Sequence, residues 1–251
     1  MRAHGLMHEE PLGRTLEWLL ALIPPDEQTE CVVRRRASAP LVLTRMVSPR
    51  TRAETGDIVF QTKGDLSPNQ RGATLAIARA AVEGPLAVIV TPSPRLVAAR
   101  ISEAFLDERD HDLMSSVAFE RDRLGRIVPF CQLGQVEIAK SARVHPTAII
   151  DRGTLHDDVT LIGDGAVIGS FVHIAHNVTV GPDAVVMDHA HISGSTTICP
   201  RAYIGAGAMI SDHLRIGNDA HVGIGSVVLE DVRDDVRVMS TGRLATLRKA
   251  E

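Results

Sequence analysis

The chain is poor in aromatic side chains, with one Trp, one Tyr and five Phe among 251 residues. Whatever interior it forms must be filled by aliphatic groups. Cysteine is equally scarce: Cys31, Cys131 and Cys199 are far apart and odd in number. That pattern argues against a disulfide framework and fits a reducing compartment. Cys199 is expected as an outward-facing thiol. Charge of one sign is not in excess either, and a formal net charge of −4 supplies no attraction toward nucleic acid or an anionic membrane. Long hydrophobic runs are missing. The apolar stretch Trp18–Ile23 is too short to span a bilayer and lacks a signal-peptide cleavage pattern. A cytoplasmic protein is expected.

What the chain does have is a period of six. Counting from Ile138 to Val228 in sixes gives sixteen positions, and all but His156 are Ile or Val. Four residues after each of them stands a small or aliphatic residue, for example Ala142, Ala166, Ala184, Ala202 and Ala220. Two inward positions per hexad are the mark of a parallel β-helix. Three hexads close one triangular coil, so positions 18 apart should stack. With strands about 4.8 Å apart, the coils build a prism roughly 25 Å tall. Such a coil buries its apolar face only against its neighbours. The break at His156 reads as a bulge in the first full coil.

Residues 1–108 lack the period and read as a small α/β domain, a candidate for nucleotide-sugar binding. A helix is expected over Leu12–Ile23, ended by Pro24-Pro25, and a strand at Asp57–Phe60. The pattern of Thr74, Leu75, Ile77, Ala78 and Ala81 predicts a helix over Gln70–Val82, followed by a buried strand at Leu86–Val90. Ser93-Pro94 opens a further helix. Residues 107–115 are charged and are expected as an exposed connection, and 109–137 as a connector with a hairpin within Ala118–Gln132. The helix proper is expected over 138–233 and a tail over 234–251.

Particular residues then carry a resemblance. Ile150-Asp151-Arg152-Gly153-Thr154, Ile174-Ala175-His176-Asn177-Val178, Gly194-Ser195-Thr196 and Asp212-His213-Leu214-Arg215-Ile216 together resemble the UDP-3-O-acylglucosamine N-acyltransferases of lipid A synthesis. Ala53–Phe60 and Arg126-Ile127-Val128-Pro129 are similar to that family's N-terminal domain and hairpin. The resemblance implies a left-handed helix of about five coils after an α/β domain, a homotrimer, and active sites between subunits. It implies His176 as general base and His213 as an assistant at the substrate or oxyanion. Gly194 would line the acyl path, Asn177 would contact substrate, and Phe60 is what remains of a base-stacking loop. No bound cofactor or metal is implied. The donor would be acyl-CoA or an acyl carrier protein, and the family's C-terminal helical extension is absent, which tilts the expectation toward coenzyme A.

Spacing alone places His176 just past an inward position, facing out near a corner, with His213 two coils further along the same edge. Acyl transfer to an amine needs a base for the amine proton and donors facing the tetrahedral oxyanion, and an imidazole titrating near neutrality suits the first task. His173 and His191 should stack on the outside, as should Ser170 and Asp188. These four form either a substrate-facing groove or an ordinary polar surface. Asp151 and Arg152 are expected to pair structurally at a corner. Two other classes stay open: a non-catalytic binding or assembly module, and a zinc hydratase of the hexapeptide type. The second lacks a required further histidine, since Asn218 and Asp219 stand where it belongs.

Overall fold

The computed structural model describes residues 14–28, 31–35, 41–48, 52–62, 65–102, 105 and 119–239. The chain divides into two compact units. One comprises Met1–Gly134 with Thr154–Asp158, the other Gln135–Gly153 with Val159–Glu251. Among the described residues, no helix is long and apolar enough to cross a membrane.

The first unit is α/β. Its central sheet runs in the spatial order Val32–Arg35, Ala87–Val90, Leu75–Ala78, Asp57–Gln61 and Arg45–Met46. The first of these pairs antiparallel to its neighbour and the others pair in parallel. The helix expected from residue 12 is seen over Leu16–Ala21, where Thr15 Oγ1 caps the Trp18 N–H at 3.2 Å. Pro94–Ser102 is the second expected helix, and Phe119–Arg121 pairs with Ile127–Pro129 as the hairpin. The charged stretch 107–115 lies outside the described residues.

One expectation is overturned. Gln70–Val82 is not a helix: a short 3-10 turn at Pro68–Gln70 leads into the strand Leu75–Ala78, in which all four residues are buried. Alanine favours a helix by propensity, yet a strand covered on both faces also reads as a continuous apolar run, and the tertiary setting decides.

The second unit is a left-handed parallel β-helix with three faces of five, six and five strands. The first face holds the strand Val159–Ile162, the second Val167–Ile168 and the third His173–Ile174, and each later coil repeats that order. Coils are joined by main-chain bonds, for instance Leu161 N to Val178 O at 2.9 Å and Gly163 N to Val180 O at 2.8 Å. The inward ladder Ile162, Ile168, Ile174, Val180, Val186, Ile192, Ile198, Ile204 and Ile210 is buried throughout. Cys199, expected outward, is buried, and its burial pushes the thiol pKa up.

The 18-residue stacking rule fails at both ends. Gln135 pairs with Val159 and Ile149 with His173, steps of 24. At the other end His221 pairs with Arg237, a step of 16. The extra hexad in the first coil is the segment around His156, and Thr154–Asp158 belongs to the first unit. There the Asp157 carboxylate accepts from Ser48 N at 2.9 Å and Ser48 Oγ at 3.2 Å. His156 Nδ1 lies 3.1 Å from Met46 N and 3.2 Å from Met46 O, so it accepts from the first or donates to the second according to its protonation. Burial is the main cause that holds the His156 pKa below its ordinary value.

Ile204→Ala should cost about 2–5 kcal/mol in denaturant unfolding, because the narrow interior cannot collapse around the void. The depressed pKa of His156 gives a second expectation. Its contribution to stability is full above about pH 6.5 and is lost as the pH falls through its lower folded value. A His156→Asn variant should therefore lose less stability between pH 7 and 5 than the parent, as read by thermal melts.

Candidate active site

From Gly165 to Gly225 each successive corner of the helix contains one residue in the left-handed backbone region. Phe171, Asn177, Asp183, His189, Ser195, Arg201, His213 and Asp219 all have φ between 54° and 61°. The recurrence at the same place in each turn, in residues as different as Phe, Arg and Asp, shows that the turn dictates this conformation.

The edge between the third and first faces carries His176 and His213. Ascending it are Asp151–Gly153, Ala175–Asn177, Ser193–Ser195 and Ser211–His213. Main-chain bonds fix their order: Ser195 N donates to His176 O at 2.9 Å, and His213 N donates to Gly194 O at 3.0 Å. His176 and His213 thus share one edge with a single coil between them. Their surroundings differ. A Cβ placed on Gly194 would stand 2.6 Å from both Cε1 and Nε2 of His176, so that imidazole lies flat over a position where only glycine leaves it room. His213 is exposed, and its Nδ1 lies 3.0 Å from Asp212 Oδ2. That hydrogen bond is the main cause holding the Asp212 carboxyl below its ordinary pKa. Asn177 offers its main-chain N–H to Thr160 Oγ1 at 2.9 Å.

On the third face, beside this edge, His173 and His191 are in register, with ring centroids 4.9 Å apart and an interplanar angle of 66°. The opposite edge of the same face holds Ser170 and Asp188, where Ser170 N donates to Asp188 Oδ1 at 2.7 Å. Bonds from Ser170 hold the Asp188 carboxyl below its ordinary range. A stacked pair, Phe171 and His189, lies next to it at 5.1 Å and 16°. Phe60 belongs to the first unit, where its ring packs against Phe130 at 5.9 Å.

The residue that sequence reasoning misplaced is Asp151. It was expected to pair with Arg152 at a corner. Instead its side chain is fully buried and accepts a hydrogen bond from His173 Nε2 at 2.9 Å. The carboxylate is the main cause that raises the His173 pKa, while burial, then the charge of His173, lowers that of His191. Asp151 and His173 are 22 positions apart, a spacing with no meaning in an 18-residue coil. It becomes legible only with the 24-residue step, whose sole signal is the break at His156.

Two recesses lie away from these residues. An open cavity of about 310 Å³ on the second face is lined by Arg201, Tyr203, Asp219, His221 and Arg237 among others. Another of about 420 Å³ in the first unit is lined by Arg52, Glu54, Thr55 and Asn69 among others. Among the described residues, no group of three or more His, Cys, Asp or Glu converges to hold a metal ion.

Residues 160–190, which include His173, His176 and Asp188, match the family model described as bacterial transferase hexapeptide (six repeats). This is a hexapeptide-repeat helix. The chain is similar to the UDP-3-O-acylglucosamine N-acyltransferase of Saccharophagus degradans, with 48% identity over 50 residues, 20% of this chain and 14% of that protein. It is also similar to the enzyme of that name from Coxiella burnetii, with 43% identity over 61 residues, 24% of this chain and 17% of that protein. The chain thus matches about a sixth of the length of these relatives or less. Among solved structures, a UDP-N-acetylglucosamine acyltransferase of Arabidopsis aligns with a TM-score of 0.41 and 25% identity, over 42% of this chain and 36% of that one.

Gly194→Ala should leave the helix folded, because the backbone there is ordinary and only the imidazole obstructs the methyl group. The His176 ring should move instead. A shift of its Cε1–H signal in proton NMR with an unchanged melting temperature is the expected result.

Proposed function

We propose that the chain is an N-acyltransferase that moves an acyl group from a thioester to the amine of a nucleotide-linked amino sugar, with the lipid A reaction as one candidate. The observation that carries this reading is the seating of His176, inside the stretch that matches the transferase hexapeptide model, over Gly194 on an edge shared with His213.

In this reading the acceptor amine lies against His176, whose unprotonated imidazole nitrogen takes the proton as the amine attacks the thioester carbon. Negative charge develops on the thioester oxygen, and donors aimed at that oxygen lower the barrier. In this reading the His213 ring, two coils up the same edge, would take part in that role. Collapse of the tetrahedral intermediate expels the thiolate, which recovers a proton from the His176 imidazolium. Ser170, His173, Asn177, Asp188 and His191 line the acceptor side, and Gly194 leaves a passage for the acyl chain. The donor is acyl-CoA or an acyl carrier protein.

The active assembly is a homotrimer in this reading. Met209, Ile224, Val227 and Leu229, in the fourth and fifth coils, are between 53% and 76% exposed. An apolar cluster of this kind on a rigid surface marks an interaction site.

A transfer assay on a panel of nucleotide amino sugars, with short and long acyl thioesters and product mass as readout, tests the reaction. His176→Ala should keep the assembly seen in size-exclusion chromatography and lose roughly 10²–10⁴-fold in rate, as removal of a general base does. An undiminished rate would remove His176 from that role. No product from any pair would favour a binding or assembly module instead.

A further inference from the structure

Asp151 is the one carboxylate on this edge with no exposed surface, and half of it is unsatisfied. Its Oδ2 takes the hydrogen bond from His173 Nε2, while Oδ1 is buried without a hydrogen-bond partner among the described residues. A buried carboxylate in that condition depends on a single neighbour for its compensation, and that neighbour is an imidazole on the strand leading into His176. The hydrogen bond made by one ring nitrogen fixes the state and direction of the other. With Nε2 committed to Asp151, Nδ1 is the ring nitrogen of this partly exposed side chain that remains for a ligand. His191 meets the same ring from the coil above, with centroids 4.9 Å apart and the planes inclined at 66°. No hydrogen bond from either of its ring nitrogens is seen among the described residues.

We propose that Asp151 is a positioning residue: it anchors His173 so that this ring and His191 form a two-imidazole clamp for a hydroxyl of the acceptor sugar beside His176. The inference rests on the acyltransferase reading. A hydroxyl is the complement of this pair because it accepts from one nitrogen and donates to another. The carboxylate favours the doubly protonated His173, which donates through Nδ1. Burial and that neighbouring charge favour the neutral His191, which accepts. A carboxylate or phosphate of the ligand would find one donor and one acceptor there, and a plain hydrocarbon would find neither matched. Asp151 itself touches no ligand in this arrangement. Its effect passes through His173.

The test is Asp151→Asn in the full chain, with two readouts. Histidine ring NMR should show His173 titrating at lower pH than in the parent, because the negative charge that holds its proton is gone. With the nucleotide amino sugar that the parent acylates, KM for the acceptor should rise about tenfold or more, the scale of one charge-assisted hydrogen bond, while kcat changes less than about threefold. An unchanged His173 titration overturns the proposal whatever the kinetics. A lowered titration with an unchanged KM, or with kcat falling in place of the KM change, also overturns it, because Asp151 would then be merely structural. If Asp151→Asn does not fold, His173→Gln takes its place: a KM rise of the same size in folded protein supports the clamp, and an unchanged KM sinks it. The two readings fail separately. Transfer that survives His176→Ala removes the proposed base and leaves the KM result for Asp151 to be judged by itself. A parent that acylates no nucleotide amino sugar removes the clamp together with the reaction.

Discussion

A single coil of this helix cannot hold itself together. Its inward side chains, such as Ile162, Ile168 and Ile174, have no partners within their own coil beyond each other, and its main-chain groups point along the axis to the next coil. Both the hydrophobic and the hydrogen-bonding parts of stability are therefore nearest-neighbour terms between coils. Everything else follows from keeping that stacking in register. Corners must adopt one backbone conformation, inward residues must be small or β-branched, and outward residues are left without a structural task. The chemistry of the chain resides in those outward residues.

That division explains why so much of the architecture was legible. The inward positions obey a steric rule that repeats every six residues, and the rule survives any choice of outward residue. His176 and His213 could be placed on one edge because both sit at fixed offsets from Ile174 and Ile210. The pairs His173–His191 and Ser170–Asp188 followed from the same arithmetic. The α/β unit has no comparable rule. Its strand Leu75–Ala78 is buried on both faces, and a short run of Leu, Ala and Ile carries no period that separates strand from helix.

What stayed hidden has two physical causes. The excursion in the first coil adds one full hexad, so it leaves the phase of every later position unchanged while altering which residues touch. Asp151 was assigned the wrong partner for that reason. Rotamers are the second cause. No periodicity says that the His176 ring folds over Gly194, because that depends on one methyl group that is not there. The electrostatic states of His173 and His191 lie further still from sequence, since they arise from burial and from each other.

The left-handed corners have a consequence for how such a surface can change over time. None of the non-glycine residues found there is β-branched, and Asn, Asp, Ser and His predominate. These are side chains that tolerate the conformation and also donate or accept hydrogen bonds. The turn geometry therefore filters the vocabulary available along each edge toward residues able to bind polar molecules. A sequence drifting under no demand but the integrity of its backbone would still keep a grooved, hydrogen-bonding rim, from which a binding site needs few further substitutions.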